Sequence, residues 1–309
     1  MDHHSIVAKR YKIGRKLGEG TFGDVYSGLD LKSGKKVAVK LSKLDKEHNI
    51  EKEATIYKYI KANLIDDIGN SDCSLRDYGI PNMLWAGREY GYYFLILDRL
   101  GDSYSDQLDD SHHSSLSISK VLNLAIEGLQ ILKNLHDIGL VHRDMKPNNF
   151  LTGAGNDEKD KVYVIDFGLA KQYVDSDGRH LPLTFGHKLV GTARYVSRNT
   201  HNGLQQSRRD DLESFGYVLV YLATGHLPWV GLKDREKEMD KEKRYTKIGQ
   251  IKMSTSPSTL CGNLPKCFSQ YIEYCQQLEF TETPDYSYLI NLFIHERTNR
   301  ASRRVATAS

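Results

Sequence analysis

The segment Gly18-Glu19-Gly20-Thr21-Phe22-Gly23-Asp24-Val25 constrains the fold more than any other stretch of this chain. A G-x-G-x-x-G run that follows a strand and opens a helix belongs to a dinucleotide-binding βαβ unit. Here the residues on both sides read as strands. Tyr11 to Leu17, Asp24 to Leu29 and Lys36 to Leu41 alternate or run apolar between glycines, the pattern of three antiparallel strands. The glycines then occupy a hairpin turn, where missing side chains permit close backbone approach to phosphates. Alone the pattern is weak, since a tight turn with no ligand satisfies it equally well.

The rest of the chain extends this beginning. Glu47 to Ala62 carries Ile50, Ala54, Tyr57 and Ile60 at helical spacing. The polar stretch Asn63 to Tyr78 reads as a loop or insertion, and Met83 to Ala86 and Tyr92 to Leu97 as two further strands. Ser119 to Asp137 is a long amphipathic helix with Ser117 or Ser119 as its cap. Val162 to Ile165 is a short strand, Asp210 to Thr224 a largely apolar buried helix, and Glu236 to Lys247 a segment of mixed charge. The expected class is α+β in two lobes: an extension at 1–10, a small antiparallel sheet with one main helix at 11–97, a hinge at 98–101, a mostly helical lobe at 102–296, and a basic tail at 297–309 that frays.

Composition narrows the class. With 39% hydrophobic and 27% charged residues a packed core is expected rather than disorder, and a net charge of +3 is too small to argue for nucleic-acid binding. Cys73, Cys261, Cys267 and Cys275 show no C-x-x-C spacing, so buried or free thiols are expected rather than a zinc site. The start of the chain has no apolar signal segment, its second residue Asp2 excludes myristoylation, and the apolar run Tyr217 to Ala223 is too short to span a bilayer. The expectation is a reducing compartment, cytoplasmic or nuclear, and a monomer without nucleic-acid or membrane partners.

The chemistry is concentrated at His142-Arg143-Asp144-Met145-Lys146-Pro147-Asn148-Asn149-Phe150, followed by Asp166-Phe167-Gly168. A lone Asp or Asn is most often a cap or a solvated group. The pattern H-R-D-x-x-x-x-N followed by D-F-G resembles the protein-kinase signature set. It implies ATP and Mg2+ as cofactors, and catalysis by positioning and charge neutralisation. Asp144 is then the base or orienter of the substrate hydroxyl, and Asn149 and Asp166 the oxygen ligands of magnesium. Lys146 would stabilise the transferring phosphoryl group, a placement that resembles serine/threonine kinases.

On the same resemblance Leu17, Gly18, Gly20, Gly23, Val25, Ala38, Leu97, Asp98 and Leu100 surround the nucleotide, although Val25, Ala38, Leu97 and Leu100 are equally ordinary as core. Lys40, at the end of Val37-Ala38-Val39-Lys40, reads as a phosphate ligand. Its expected partner is Glu53, with Glu51 a competitor nearby. Desolvating such a pair costs energy, so its purpose would be orientation.

Beyond Asp166 the resemblance narrows. Gly191-Thr192-Ala193-Arg194-Tyr195-Val196-Ser197, Asn199-Thr200-His201, Gln206 to Ser214, Leu227-Pro228-Trp229-Val230-Gly231-Leu232-Lys233 and Pro284-Asp285-Tyr286-Ser287-Tyr288-Leu289 are similar to the casein kinase 1 family, from about Tyr11 to about Phe293. That family implies protein substrates with acidic or already phosphorylated motifs, and constitutive activity. Carried over by position, an anion site uses Arg194, Gly231 and Arg244, with Lys243 and Lys241 close enough to blur the last choice; a solvated basic face is the plainer alternative. Arg143 as an acceptor of an activation-loop phosphate, and Thr184 or Thr192 as modification sites, stand against constitutive activity.

The chain departs from the patterns it resembles. Ser197-Arg198-Asn199 stands where most kinases carry Ala-Pro-Glu, so the usual Glu-to-Arg anchor is missing and the sequence names no replacement. Asn148 sits where the family usually has Asp, and 63–78 looks longer than its equivalent. The rival readings are a catalytically weak pseudokinase or scaffold, and a small-molecule phosphotransferase.

Overall fold

Alternating β-branched and aromatic residues build the sheet of the first half of the chain, and buried apolar helices replace it in the second. The computed structural model describes residues 6–20, 23–44, 48–64, 73–111, 114–231 and 240–308. It divides into two units: residues up to Asp102 together with Leu151–Ala170, and Ser103–Phe150 together with Lys171 onward. The boundary differs from the expected one, because 151–170 groups with the sheet rather than with the helical lobe.

The first unit holds β1 (Ile6–Val7), β2 (Tyr11–Gly20), β3 (Gly23–Asp30), β4 (Lys36–Lys43), α1 (His48–Leu64), β5 (Met83–Glu89) and β6 (Tyr92–Asp98). The strands form one antiparallel sheet in the order β1-β2-β3-β4-β6-β5. Two residues of the expected N-terminal extension therefore belong to the sheet. Cross-strand pairs set its two faces. Val37, Val39, Leu41, Phe94 and Ile96 join Val7 and Tyr11 in one apolar cluster. The alternate residues Ala38 and Lys40, opposite Leu97 and Leu95, share the other face. α1 buries Ile50, Ala54, Tyr57 and Ile60, the residues its periodicity predicts. It begins at His48 and runs to Leu64, into the stretch expected to be a loop; the remainder of that stretch is outside the described residues until Cys73, and Leu75–Tyr78 is a capped 3-10 turn.

The second unit follows with α2 (Tyr104–Asp109), α3 (Ile118–Asp137), β7 (Leu140–Val141), β8 (Phe150–Thr152, which passes back into the first unit, where it pairs with β9, Val162–Val164), β10 (Lys171–Gln172), α4 (Arg198–His201) and α5 (Arg208–Thr224). It ends with α6 (Lys241–Ser254), α7 (Pro257–Cys261), α8 (Lys266–Gln277) and α9 (Tyr286–Ala308). Ser117, not Ser119, caps α3. α5 packs against α3 and α8 and buries Leu212, Phe215, Val218, Leu219, Val220 and Leu222. The expected mixed-charge segment is helical from Lys241; 232–239, which includes Leu232 and Lys233 of the quoted motif, lies outside the described residues.

The expected frayed tail is instead the end of α9, which continues to Ala308. No Pro or Gly follows Asp285 to stop it, Ala and Arg favour helix, and Glu296 pairs with Arg300 one turn on. All four cysteines are free thiols, Cys73 half-buried and the others buried. Among the described residues no helix is long and apolar enough to cross a membrane.

Candidate active site

In the first unit the strand β4 aims Lys40 at two carboxylates. Its Nζ donates to Glu53 Oε2 at 2.6 Å and to Asp166 Oδ1 at 2.8 Å. Burial alone disfavours the charge on Lys40, but Glu53 and Asp166 outweigh it and hold the ammonium above the ordinary lysine value. Glu51 lies one helical step away and reaches Arg88 instead. Asp166 sits at φ 69° just ahead of a 3-10 turn at Phe167–Leu169, and Phe167 packs edge-on against Tyr57 of α1 at 5.2 Å. That contact ties the Asp166 turn to the helix carrying Glu53.

Register lines up the other nucleotide candidates. Val25 opposes Lys40 and Ala38 opposes Leu97, so all four side chains share a sheet face. Leu17 is half-buried on β2, Leu100 is buried, and the Asp98 carboxylate accepts from Asn82 N and Nδ2 at 3.0 and 2.9 Å. Gly18 is opposite Val25, Gly20 is opposite Gly23, and Thr21 and Phe22 at the tip are outside the described residues. Gly23 has a packing reason to be glycine: a Cβ there would lie 2.4 Å from the Leu41 carbonyl oxygen.

In the second unit Asp144 is held from both sides. Lys146 Nζ donates to Oδ2 at 2.6 Å, and the Thr192 hydroxyl donates to Oδ1 at 2.8 Å. Asn149 Nδ2 donates to the Asp144 carbonyl at 2.9 Å, which leaves its Oδ1 as an oxygen ligand. The loop itself hangs on Asp211 of α5, whose carboxylate accepts the amides of His142 and Arg143 at 2.6 and 2.8 Å and faces His136 Nε2 at 3.1 Å. Burial would push the Asp211 carboxyl up, but the neighbouring His136 and His142 and the donated amide outweigh it and keep it below the usual range.

The same first turns of α5 explain the missing anchor. Ser197 Oγ donates to Asp210, and Glu213 Oε1 accepts Arg198 N at 2.9 Å and the Tyr217 hydroxyl at 2.6 Å. Arg198 Nε also faces Glu213 Oε1 at 3.4 Å, so the carboxylate is on the helix and the guanidinium on the segment, the reverse of the usual arrangement. Gly191, at φ 103°, lets the segment pass the catalytic loop: a Cβ would lie 2.5 Å from the Arg143 carbonyl oxygen.

Arg194, Gly231 and Arg244 line one cavity of about 420 Å³, which also reaches Lys146, Asn148 and Thr192. Arg194 stacks over Tyr195 and Tyr221 at 5.8 and 5.3 Å. Lys241 packs over Tyr245 and Lys243 faces Asp240, so neither shares the cavity lining with Arg244. Thr192, Asp210, Asp211 and Glu213 are the participants that sequence reasoning did not place in the site. The available signal was a run of carboxylates at the start of a helix otherwise apolar enough to be buried.

A glycine-turned antiparallel sheet with an aspartate-anchored lysine, and a helical unit suspending an H-R-D loop from a buried carboxylate, form the architecture of enzymes that transfer phosphoryl groups from ATP. The family model of the protein kinase domain matches residues 11–283 of the 309, and the chain belongs to this family. Phosphotransfer to protein substrates is the activity of the class.

Proposed function

We propose that this protein is a serine/threonine kinase of the casein kinase 1 type, acting on hydroxyls beside acidic or phosphorylated residues and active without phosphorylation of its activation segment. One observation carries the reading: the cavity that holds Arg194 and Arg244 also reaches Lys146, the residue paired with Asp144. An anionic side chain bound by the two guanidinium groups would lie in the same groove as the acceptor hydroxyl. Guanidinium forks suit phosphate and carboxylate oxygens.

Asp144 takes the proton of the acceptor hydroxyl as its oxygen bonds to the γ-phosphorus and the bond to ADP breaks. Both its oxygens are engaged by Lys146 and Thr192, yet a carboxylate offers about four acceptor sites, so room is left for that hydroxyl. Lys146 neutralises charge on the transferring group. Lys40, oriented by Glu53, does so on the nucleotide phosphates. The Asn149 amide oxygen and the Asp166 carboxylate are each hard oxygen donors of the kind that would hold magnesium, which would supply neutralisation of phosphate charge. Activity without a phosphate is supported by the contacts that already hold the segment, including Thr192 to Asp144 and Thr184 to Gln205.

The test uses phosphatase-treated protein and matched peptides with and without a priming phosphate. Arg194→Ala and Arg244→Ala are expected to raise KM for the primed peptide about tenfold or more and to change the unprimed one far less. An equal loss on both peptides, or a need for prior phosphorylation of the enzyme, would overturn the corresponding part.

A further inference from the structure

Carbonyls of the segment Ala193–Ser197 are held by donors on Lys252 and on Trp229, which also lines the cavity with Arg194. Lys252 of α6 is 1% exposed, and its Nζ donates to the carbonyl oxygens of Ala193 at 3.0 Å and Val196 at 2.5 Å. The indole Nε1 of Trp229, also buried, donates to the carbonyl of Arg194 at 2.7 Å. Lys252 Nζ lies 4.9 Å from the ring centroid of Tyr217 and 5.1 Å from that of Trp229, so the two donors and their aromatic surround form one cluster.

Buried carbonyls need donors, and a side chain supplies them only where the backbone cannot. This stretch makes one short turn, with the amides of Tyr195 and Val196 both donating to the Thr192 carbonyl. The carbonyls of Ala193, Arg194 and Val196 are met by side chains instead, and His201 Nε2 also faces that of Ala193 at 3.3 Å. Burial pulls Lys252 well below the ordinary lysine value. That does not weaken the arrangement, because an ammonium has three protons and a neutral amine two, enough for both carbonyls in either state. Arg198 and Glu213 reverse the usual anchor at the end of the segment, but they do not reach the turn at 193–196.

We propose that Lys252 and Trp229 form a carbonyl clamp that takes over part of the work of the missing anchor, fixes the turn at Ala193–Val196, and thereby positions Arg194 and the peptide-facing edge of the segment. Both are positioning residues: neither is placed to touch the reacting atoms. The effect on substrate rests on the reading that this segment meets the peptide, whereas the clamping itself does not.

The test compares Lys252→Met, which keeps an unbranched side chain and loses two of the hydrogen bonds, with Trp229→Phe, which keeps an aromatic ring and loses one. Hydrogen exchange at the Tyr195 and Val196 amides is read without substrate, and KM is measured for ATP and for an acidic serine peptide. Exchange is expected to quicken in both variants, more in Lys252→Met. Peptide KM should rise about tenfold in Lys252→Met and less in Trp229→Phe, with ATP KM within about twofold. A retained thermal shift on adding Mg-ATP shows that a variant is folded, and if Lys252→Met is not, Trp229→Phe carries the test. Unchanged exchange in a folded variant overturns the clamp. Faster exchange with unchanged peptide KM keeps the clamp and overturns its role in peptide binding.

Discussion

At the residue scale, the fate of Thr192 shows how a side chain can be read correctly for chemistry and wrongly for purpose. A hydroxyl in an activation segment suggests a modification site. Here it donates to Asp144 at 2.8 Å, opposite Lys146. A phosphate on that oxygen would set a near-dianion against the catalytic carboxylate, so modification there would block turnover rather than support it. Thr192→Val keeps the shape and removes the donor. Losing one charge-assisted hydrogen bond of about 1.5–3 kcal/mol predicts a fall in kcat of about tenfold or more, with ATP KM little changed. A steady-state comparison in which kcat is untouched would show that Asp144 needs only Lys146. Lys40 gave the opposite experience. Its spacing after the glycine turn and ahead of α1 is readable, and geometry selects Glu53 over Glu51 because Glu53 reaches Lys40 while Glu51 reaches Arg88 of β5.

Elements were readable where local pattern and burial agree. The strands and α1 were found to within a few residues because each alternates or repeats at its own period, with turn residues between them. One element departs from its expectation because composition outweighs propensity there. The last turns of α9 looked like a loose basic tail, although nothing in them breaks a helix.

The start of α9 is firmly fixed. The Asp285 carboxylate accepts the Tyr288 amide at 2.8 Å, and the Tyr286 hydroxyl meets His136 Nδ1 at 2.5 Å. Burial pushes the Tyr286 phenol well up, so it keeps its proton, and the other ring nitrogen of His136, Nε2, faces the Asp211 carboxylate at 3.1 Å. The first residue of α9 is thereby chained through α3 to the carboxylate that suspends the catalytic loop. Tyr286→Phe leaves a buried ring nitrogen without its hydrogen-bond partner, which predicts a loss of about 1–3 kcal/mol and a Tm lower by about 2–12 °C. A melting curve coincident with that of the unaltered protein would show that the hydroxyl adds nothing to the packing of the ring.

At the scale of the whole molecule, the two units differ in what the sequence reveals of them. The sheet announces itself through local periodicity, whereas the helical unit is organised by buried polar groups whose partners lie far along the chain. Those groups also give folding a pH dependence with opposed parts. Burial, with Lys252 beside it, pulls His201 down to about 4 from an ordinary 6.5. The unfolded chain therefore binds this proton first as pH falls, and stability is lost from about 6.5 down to about 4. Asp210 runs the other way. Burial raises it to about 7 from 3.8, despite the donation from Ser197, so its contribution is full below 3.8 and is lost as pH rises through 7. The two slopes overlap and partly cancel, so the overall curve says little about either. His201→Gln separates them. Stability of the unaltered protein minus that of the variant should rise with pH between about 4.5 and 6.5, by ~1–3 kcal/mol, and then level off. Urea unfolding at several pH values measures that difference. A flat difference would mean that His201 accepts its proton as readily in the folded protein as in the unfolded chain, and that the Ala193 carbonyl it shares with Lys252 does not depend on its being neutral.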